Sequence, residues 1–419
     1  MKRIITVLKK ESLSCKTNVS YNLIQTESEK QIRNANKIYV LVIEASSVNR
    51  KAISDIINSS PKLEVIATAA NTDFALKKLK KQPDVIMLSL ETETLKEINF
   101  IKKKKNINNK LPVIILSSNK DIAKTALLKG ADDFIIKTEN KLDSIKDKMI
   151  NLLSVYGNKT IKNRIIYNMN SELKTNKILT KNRDKKETLN ITETTDINLI
   201  IKKDTPETKN LNQEKIIDKQ DLKKLKKRKF EIVVIGISTG GPTALKEILP
   251  EIPKNFPVPI IIVQHMPKGF TTEFARSLNN ICNLVVKETS NKEILQRGFI
   301  YISPGGYHTR INKINKNYQI EVFDAENING HKPSIGVLFK SISENVKEKA
   351  IALIMTGMGS DGSREIGEIK KAGGLTIAQD EKSSLVFGMP KIAIEENNVD
   401  YIVSVSHMVK LLKAILIDG

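Results

Sequence analysis

The stretch EIVVIGISTGGP, residues 231–242, runs from a continuous apolar segment into a serine set among glycines. Val and Ile without polar alternation are what a strand buried on both faces of a parallel sheet presents. Gly236, Gly240 and Gly241 permit a tight turn and close backbone approach around Ser238. Taken alone, the string is compatible with a nucleophile at a strand end, a glycine-rich phosphate turn or a plain chain reversal. Gly236-Ile237-Ser238-Thr239-Gly240 also spells the G-x-S-x-G elbow of α/β-hydrolases. A dinucleotide fingerprint fits worse, because it needs glycine where Ser238 stands, and there is no G-x-x-x-x-G-K-[ST] phosphate loop.

The same pattern continues downstream. Strand candidates follow in PVPIIIVQ, NLVVKE, GFIYIS, YQIEVF, AIALIMT, LTIAQD and DYIVSV, with helix-like PTALKEILPEI and SREIGEIKKA between some of them. Gly373 and Gly374 supply a helix stop after the second of these. Three side chains fit for catalysis each stand just past an apolar strand: Ser238, His265 and Asp361. In an open parallel sheet such strand ends share one edge, so residues far apart in sequence can meet there. A serine hydroxyl needs a histidine to take its proton, and a carboxylate to hold the imidazole tautomer. The chain order here is Ser, His, Asp, whereas α/β-hydrolases run Ser, acid, His. Asp324 and Asp380 compete with Asp361 for the acid. His308 and His331 read as loop residues able to line a site, and His407 as a structural residue at a helix start.

Upstream, short apolar runs at 38–43, 63–67, 84–90, 112–116 and 133–136 alternate with polar, helix-like segments, again the βα rhythm of a doubly wound sheet. Between them and the second α/β unit, residues 156–228 are rich in Asn, Lys, Thr, Glu and Asp without lasting periodicity, the composition of a flexible tether. The expected organisation is an N-terminal extension over 1–37, a first domain over 38–155, a linker over 156–228 and a second domain over 229–419. Two distant cysteines, Cys15 and Cys282, suggest neither a disulfide framework nor a metal site, and the histidines lack zinc-ligand spacing. No segment has the signal-peptide or membrane-span pattern, so a cytoplasmic protein without membrane insertion is expected. The net charge of +22 suggests nucleic acid at first. Its lysines are dispersed, and the dense runs KKKK (102–105) and KKLKKRK (223–229) carry no aromatic residues for stacking on bases, so solvated lysine faces are the expectation and nucleic acid is not.

GISTGGP, QHMPKGFTTEFARSL, GFIYISPGGYH, HKPSIGVLF, ALIMTGMGSDG and AQDEKSSLVFGMP, in that order from residue 236 to 390, together resemble the CheB family of chemotaxis protein-glutamate methylesterases. The resemblance implies a Rossmann-like catalytic domain with Ser238, His265 and Asp361 as its triad and the backbone N–H of Met358 as an oxyanion donor. It implies a hydrolase without a cofactor that removes methyl groups from glutamyl esters of methyl-accepting chemotaxis receptors. Deamidation of receptor glutamines by the same acyl chemistry is implied too. A non-catalytic docking protein of the chemotaxis array is the alternative, against which the intact triad speaks.

The family carries an N-terminal flavodoxin-like receiver, and residues 38–155 resemble one. Lys137 in DDFIIKT matches the receiver lysine and Ser117 in PVIILSS the switch Ser/Thr. Phosphoryl transfer there requires an acidic metal-binding pair after the first strand and an aspartate after the third. This chain has Glu44-Ala45 at the first place and Ser89 at the second, and neither Asp84 nor Glu91 stands where the pattern needs a substitute. The expectation is a receiver-like domain that is not phosphorylated in the usual way, contacting a histidine kinase or another partner. The tether would leave the catalytic domain partly uncovered.

Overall fold

The computed structural model describes residues 37–92, 96–97, 99–102, 111–137, 142–161 and 219–418. Residues 1–36 of the expected extension over 1–37, and most of the expected tether, lie outside the described residues.

The first sheet is built from β1 (Ile38–Ile43), β2 (Leu63–Ala69), β3 (Val85–Ser89), β4 (Val113–Ser117) and β5 (Asp133–Ile136). All neighbours are parallel in the order β2-β1-β3-β4-β5. Helices α1 (Ser47–Asn58), α2 (Thr72–Lys78) and α3 (Lys120–Leu128) start where Ser46, Asn71 and Asn119 accept backbone N–H groups with their side chains. The helix α4 then runs over 146–161, past the point where the composition turns polar. Its Met149, Leu152, Leu153 and Tyr156 pack with β1, β3 and β4 residues in one buried cluster.

After α5 (Lys219–Lys226) the second sheet begins with β6 (Ile232–Ile237) and β7 (Ile260–Gln264). It continues with β8 (Val285–Glu288), β9 (Phe299–Ile302), β12 (Ala350–Ile354), β13 (Leu375–Gln379) and β14 (Tyr401–Val403). The order is β14-β13-β12-β6-β7-β9-β8, all parallel. The order in which strands are added reverses about β6, whose neighbours are β7 on one side and β12 on the other, so the crevice of a doubly wound sheet opens at the C-terminal ends of these three strands. Helices α6 (Gly241–Ile248), α7 (Phe270–Asn279), α8 (Ile335–Asn345), α9 (Glu365–Lys371), α10 (Met389–Glu395) and α11 (Val405–Leu416) cover its faces. β6, β7 and β12 are buried throughout, which explains their unbroken aliphatic spelling. Each such side chain contributes about 1.5–3 kcal/mol when fully buried.

β10 (His308–Ile314) and β11 (Asn317–Phe323) form a separate antiparallel hairpin. HTRINKI has only two apolar residues, Ile311 and Ile314, three positions apart, so neither alternation nor an apolar run announces the strand.

The two domains touch. Phe134 of β5 stacks on Phe270, and one apolar cluster contains residues of both sheets. Leu385 of the second domain packs against the core of the first. A cavity of 190 Å³ between them is lined by Pro112, Asp132 and Tyr156 on one side and Gly240, Thr356 and Leu385 on the other. The expected partly uncovered catalytic domain therefore gives way to a docked arrangement, because apolar residues of both domains meet at this face.

Candidate active site

β6 delivers Ser238 one residue past its end. The Ser238 N–H donates to Thr356 O at 3.0 Å, tying the serine to the strand end of β12. Gly241 N–H donates to Ser238 O at 2.8 Å, and Gly240 takes φ of +80°, which closes the turn and starts α6. Glycine is needed there for two reasons: the left-handed conformation, and a Cβ that would lie 2.7 Å from Leu385.

β7 delivers His265 in the same way, its N–H donating to Ile237 O at 3.2 Å. Buried Gln264 joins the two strand ends, its Nε2 donating to Ser238 O at 3.0 Å and to His265 O at 3.2 Å. The ring of His265 lies between the other two groups: Nδ1 is 3.0 Å from Ser238 Oγ and Nε2 is 2.8 Å from Asp361 Oδ2. With Nε2–H donating to the carboxylate, Nδ1 is free to accept from the serine hydroxyl.

Asp361 is buried and fully engaged. It accepts from Ile335 N–H at 2.6 Å and Gly336 N–H at 3.2 Å, both at the N-terminus of α8, from Ser334 Oγ at 2.8 Å and from Asn329 Nδ2 at 3.1 Å. Burial pushes its carboxyl up, but the hydrogen bond and charge of His265 and the bonds from Ser334 and Asn329 outweigh it and hold it at about 2. It is thus a permanent anion at neutral pH, able to balance an imidazolium.

Met358 is exposed, and among the described residues its amide donates to no protein group. The preceding Gly357 backs onto the serine, since a Cβ there would lie 2.8 Å from Ser238 Cβ. The competing acids are used elsewhere: Asp324 pairs with Lys332 at 2.7 Å, and Asp380 accepts from Ser383 N–H at 3.1 Å. His407 bonds Ser404 Oγ at 2.8 Å at the start of α11, as read from the sequence. His308, read there as a loop residue, is instead a fully buried member of β10 whose Nε2 meets Glu326 O at 2.9 Å. His331 stacks on His265, ring centroids 3.9 Å apart and planes 11° apart.

In the first domain, buried Glu44 accepts Ser46 N–H at 2.8 Å and is followed by Ala45 rather than a second acid, and Ser89 faces Lys137 Nζ at 3.4 Å. Ser117 is fully buried. Asp84 accepts Tyr39 N–H at 2.9 Å at the opposite end of the sheet. Glu91 does more than its place in the pattern suggested. Its carboxylate pairs with Lys137 and accepts both the hydroxyl and the N–H of Ser118. Burial pushes the Glu91 carboxyl up, and the Lys137 and Ser118 bonds more than reverse this. Ala45 and Ser89 carry no carboxylate at the two places where the acidic Mg²⁺ site of a receiver needs oxygen ligands beside Glu44, so these side chains do not fit that site.

A protein of Borreliella burgdorferi named "Probable protein-glutamate methylesterase" is 56% identical over 91% of this chain and 99% of its own length. The chain belongs to the CheB methylesterase family. The family model "CheB methylesterase" matches residues 233–412, and "Response regulator receiver domain" matches residues 40–149. A Treponema denticola member named "Protein-glutamate methylesterase/protein-glutamine glutaminase" is 37% identical over 88% of this chain and 96% of its own length. Among solved structures, the Thermotoga maritima CheB methylesterase catalytic domain is 41% identical, covers 44% of this chain and 99% of its own, with a TM-score of 0.43.

Asn329, Ser334 and Gln264, which hold the members of this CheB-family site, carry no role in the sequence reading. Asn329 and Gly330 both take positive φ, 55° and 78°, between Ile328 and His331, whose backbones pair in both directions. An Asn-Gly pair is the strongest short signal for such a type I′ turn and could have flagged the segment. Gln264, spelled as the last residue of an apolar strand, carries no signal of its role.

Proposed function

We propose that this chain hydrolyses glutamyl methyl esters on chemotaxis receptors, releasing methanol, through Ser238, His265 and Asp361. What carries the reading is the unbroken hydrogen-bonded chain Ser238–His265–Asp361, 3.0 and 2.8 Å long, at the edge where three parallel strands end. Ser238 Oγ attacks the ester carbonyl while His265 Nδ1 takes its proton, and Asp361 balances the imidazolium at Nε2. The oxyanion forms beside the Met358 N–H, which has no competing protein acceptor among the described residues. Collapse of the tetrahedral intermediate passes the proton from His265 to the departing methoxide, giving methanol and a glutamyl-serine ester. Water then attacks that ester with His265 as base, restoring the serine and leaving a glutamate. A glutamine side chain follows the same route with ammonia as the leaving group.

The test is methanol release from a methylated receptor, with Ser238→Ala at the background rate. The receiver-like domain serves this activity without an aspartyl phosphate, since Ser89 is not a carboxylate and Glu91 already engages Lys137. Incubation with Mg²⁺ and acetyl phosphate leaves no acid-stable, hydroxylamine-labile adduct on residues 38–155. Such an adduct contradicts this part of the proposal.

A further inference from the structure

Two residues of one tight turn, Asn329 and His331, flank the two partners of a single hydrogen bond, Asp361 and His265. Asn329 donates from Nδ2 to Asp361 Oδ1 at 3.1 Å, and two residues on the His331 ring lies flat against that of His265. The turn that spaces them is stiff. Ile328 and His331 exchange both backbone hydrogen bonds, at 3.1 and 3.0 Å, around Asn329 and Gly330 at positive φ. Its far side is anchored by Lys332, which bonds Asp324 at 2.7 Å and Ala325 O at 2.9 Å, and whose carbonyl accepts Gly306 N–H at 3.2 Å.

We infer that His331 is a positioning residue for the catalytic base, its ring holding the His265 imidazole in the one plane that aims Nδ1 at Ser238 and Nε2 at Asp361. An imidazole tethered only by its Cα–Cβ and Cβ–Cγ bonds can rotate about both, and a two-ended hydrogen bond fixes the ring fully only while both ends are made. During the reaction the Ser238 end is broken, because the hydroxyl proton leaves for Nδ1. A stacked ring keeps the plane through that interval and excludes water from one face of the imidazolium. The groups facing His331 favour an uncharged stack at neutral pH: burial and the neighbouring His265 hold its imidazole below the ordinary range, and Asp361 opposes them more weakly. A neutral aromatic face beside a forming cation is attractive, whereas a second imidazolium would repel it.

This inference rests on the triad reading given above, and the experiment separates the two. Methanol release from a methylated receptor is measured with full-length wild type, Ser238→Ala, His331→Ala and His331→Phe. His331→Ala lowers kcat about tenfold with KM within about twofold, and His331→Phe, which restores a flat ring, recovers most of the rate. Unchanged kcat in His331→Ala, a change confined to KM, or a His331→Phe enzyme as slow as His331→Ala overturns the positioning role. Loss of the triad reading shows separately, as a Ser238→Ala enzyme that keeps the wild-type rate. A second measurement needs no His331 variant to fold. In wild-type protein labelled at histidine, the His331 ring protons carry an upfield ring-current shift that disappears in His265→Ala; its absence in wild type overturns the stack itself.

Discussion

Phe134, in the last strand of the receiver-like domain, stacks on Phe270, the first residue of the helix that follows the His265 loop, with ring centroids 4.7 Å apart and planes 16° apart. This pair joins the two domains beside the nucleophile turn, where Gly240 and Thr356 line the cavity that faces Pro112, Asp132 and Tyr156. A stacked aromatic pair contributes about 0.5–1.5 kcal/mol beyond its buried area. The docked first domain lies against Gly240 and Leu385 beside the Ser238 turn and so would restrain access of a protein substrate; on that reading Phe134→Ala is expected to raise full-length methanol release about two- to tenfold, by populating an undocked receiver. A Phe134→Ala rate equal to wild type removes this contact from the restraint on activity.

The Glu91–Lys137 pair gives a second expectation. Lys137 is buried and Glu91 is 43% exposed, so solvent screens the pair and the stabilisation is modest, about 0.5–1 kcal/mol. Glu91→Gln lowers receiver stability by about that amount at neutral pH and low salt. Because the Glu91 carboxyl is held below its ordinary range, the difference is present above that range and is lost as pH falls through the lowered value. Denaturant midpoints for the two proteins across pH 3–7 check it, and a difference that grows on acidification contradicts the pairing.

Asp361 sets the acid limit of the catalytic domain. Its carboxyl stands at about 2 against an ordinary 3.8, which corresponds to roughly 2 kcal/mol of stability. The depressed value places that contribution above about pH 4, with loss as pH falls toward 2. Asp361→Asn is expected to be less stable than wild type at pH 7 and to approach it on acidification. Parallel stability curves for the two proteins from pH 7 to 2 contradict the assignment.

Gly357 packs its α-carbon against the nucleophile. A methyl group there meets Ser238 Cβ at 2.8 Å and Met389 Sδ at 2.5 Å. The thioether can move aside, but the serine is held by its strand, so Gly357→Ala displaces Oγ from His265. A misplacement of this kind costs about 10²-fold in rate, read as a fall in kcat with the thermal midpoint little changed. Wild-type kcat in Gly357→Ala means that the serine tolerates the shift.

Much of this was legible in residue order. IVVIGI, IIIVQ and AIALI are unbroken aliphatic runs because their strands are buried on both faces, and that same burial places Ser238, His265 and Asp361 at one edge. His308 reads as a loop residue in the sequence because only two of the seven residues of its strand are apolar, and they do not alternate with polar ones. Glu91 was set aside because a pattern of positions counts residues along the strand, not the reach of a longer side chain toward Lys137. The contact of His331 with His265 depends on a turn outside any strand, and no periodicity announces it.

The central claim is that Ser238 is the nucleophile of a methylesterase. Methanol release from a methylated chemoreceptor, measured with full-length protein and with Ser238→Ala, tests it most directly. Release by the wild type and a fall to background in Ser238→Ala, with unaltered circular dichroism, is the predicted result. Equal rates in the two proteins contradict it.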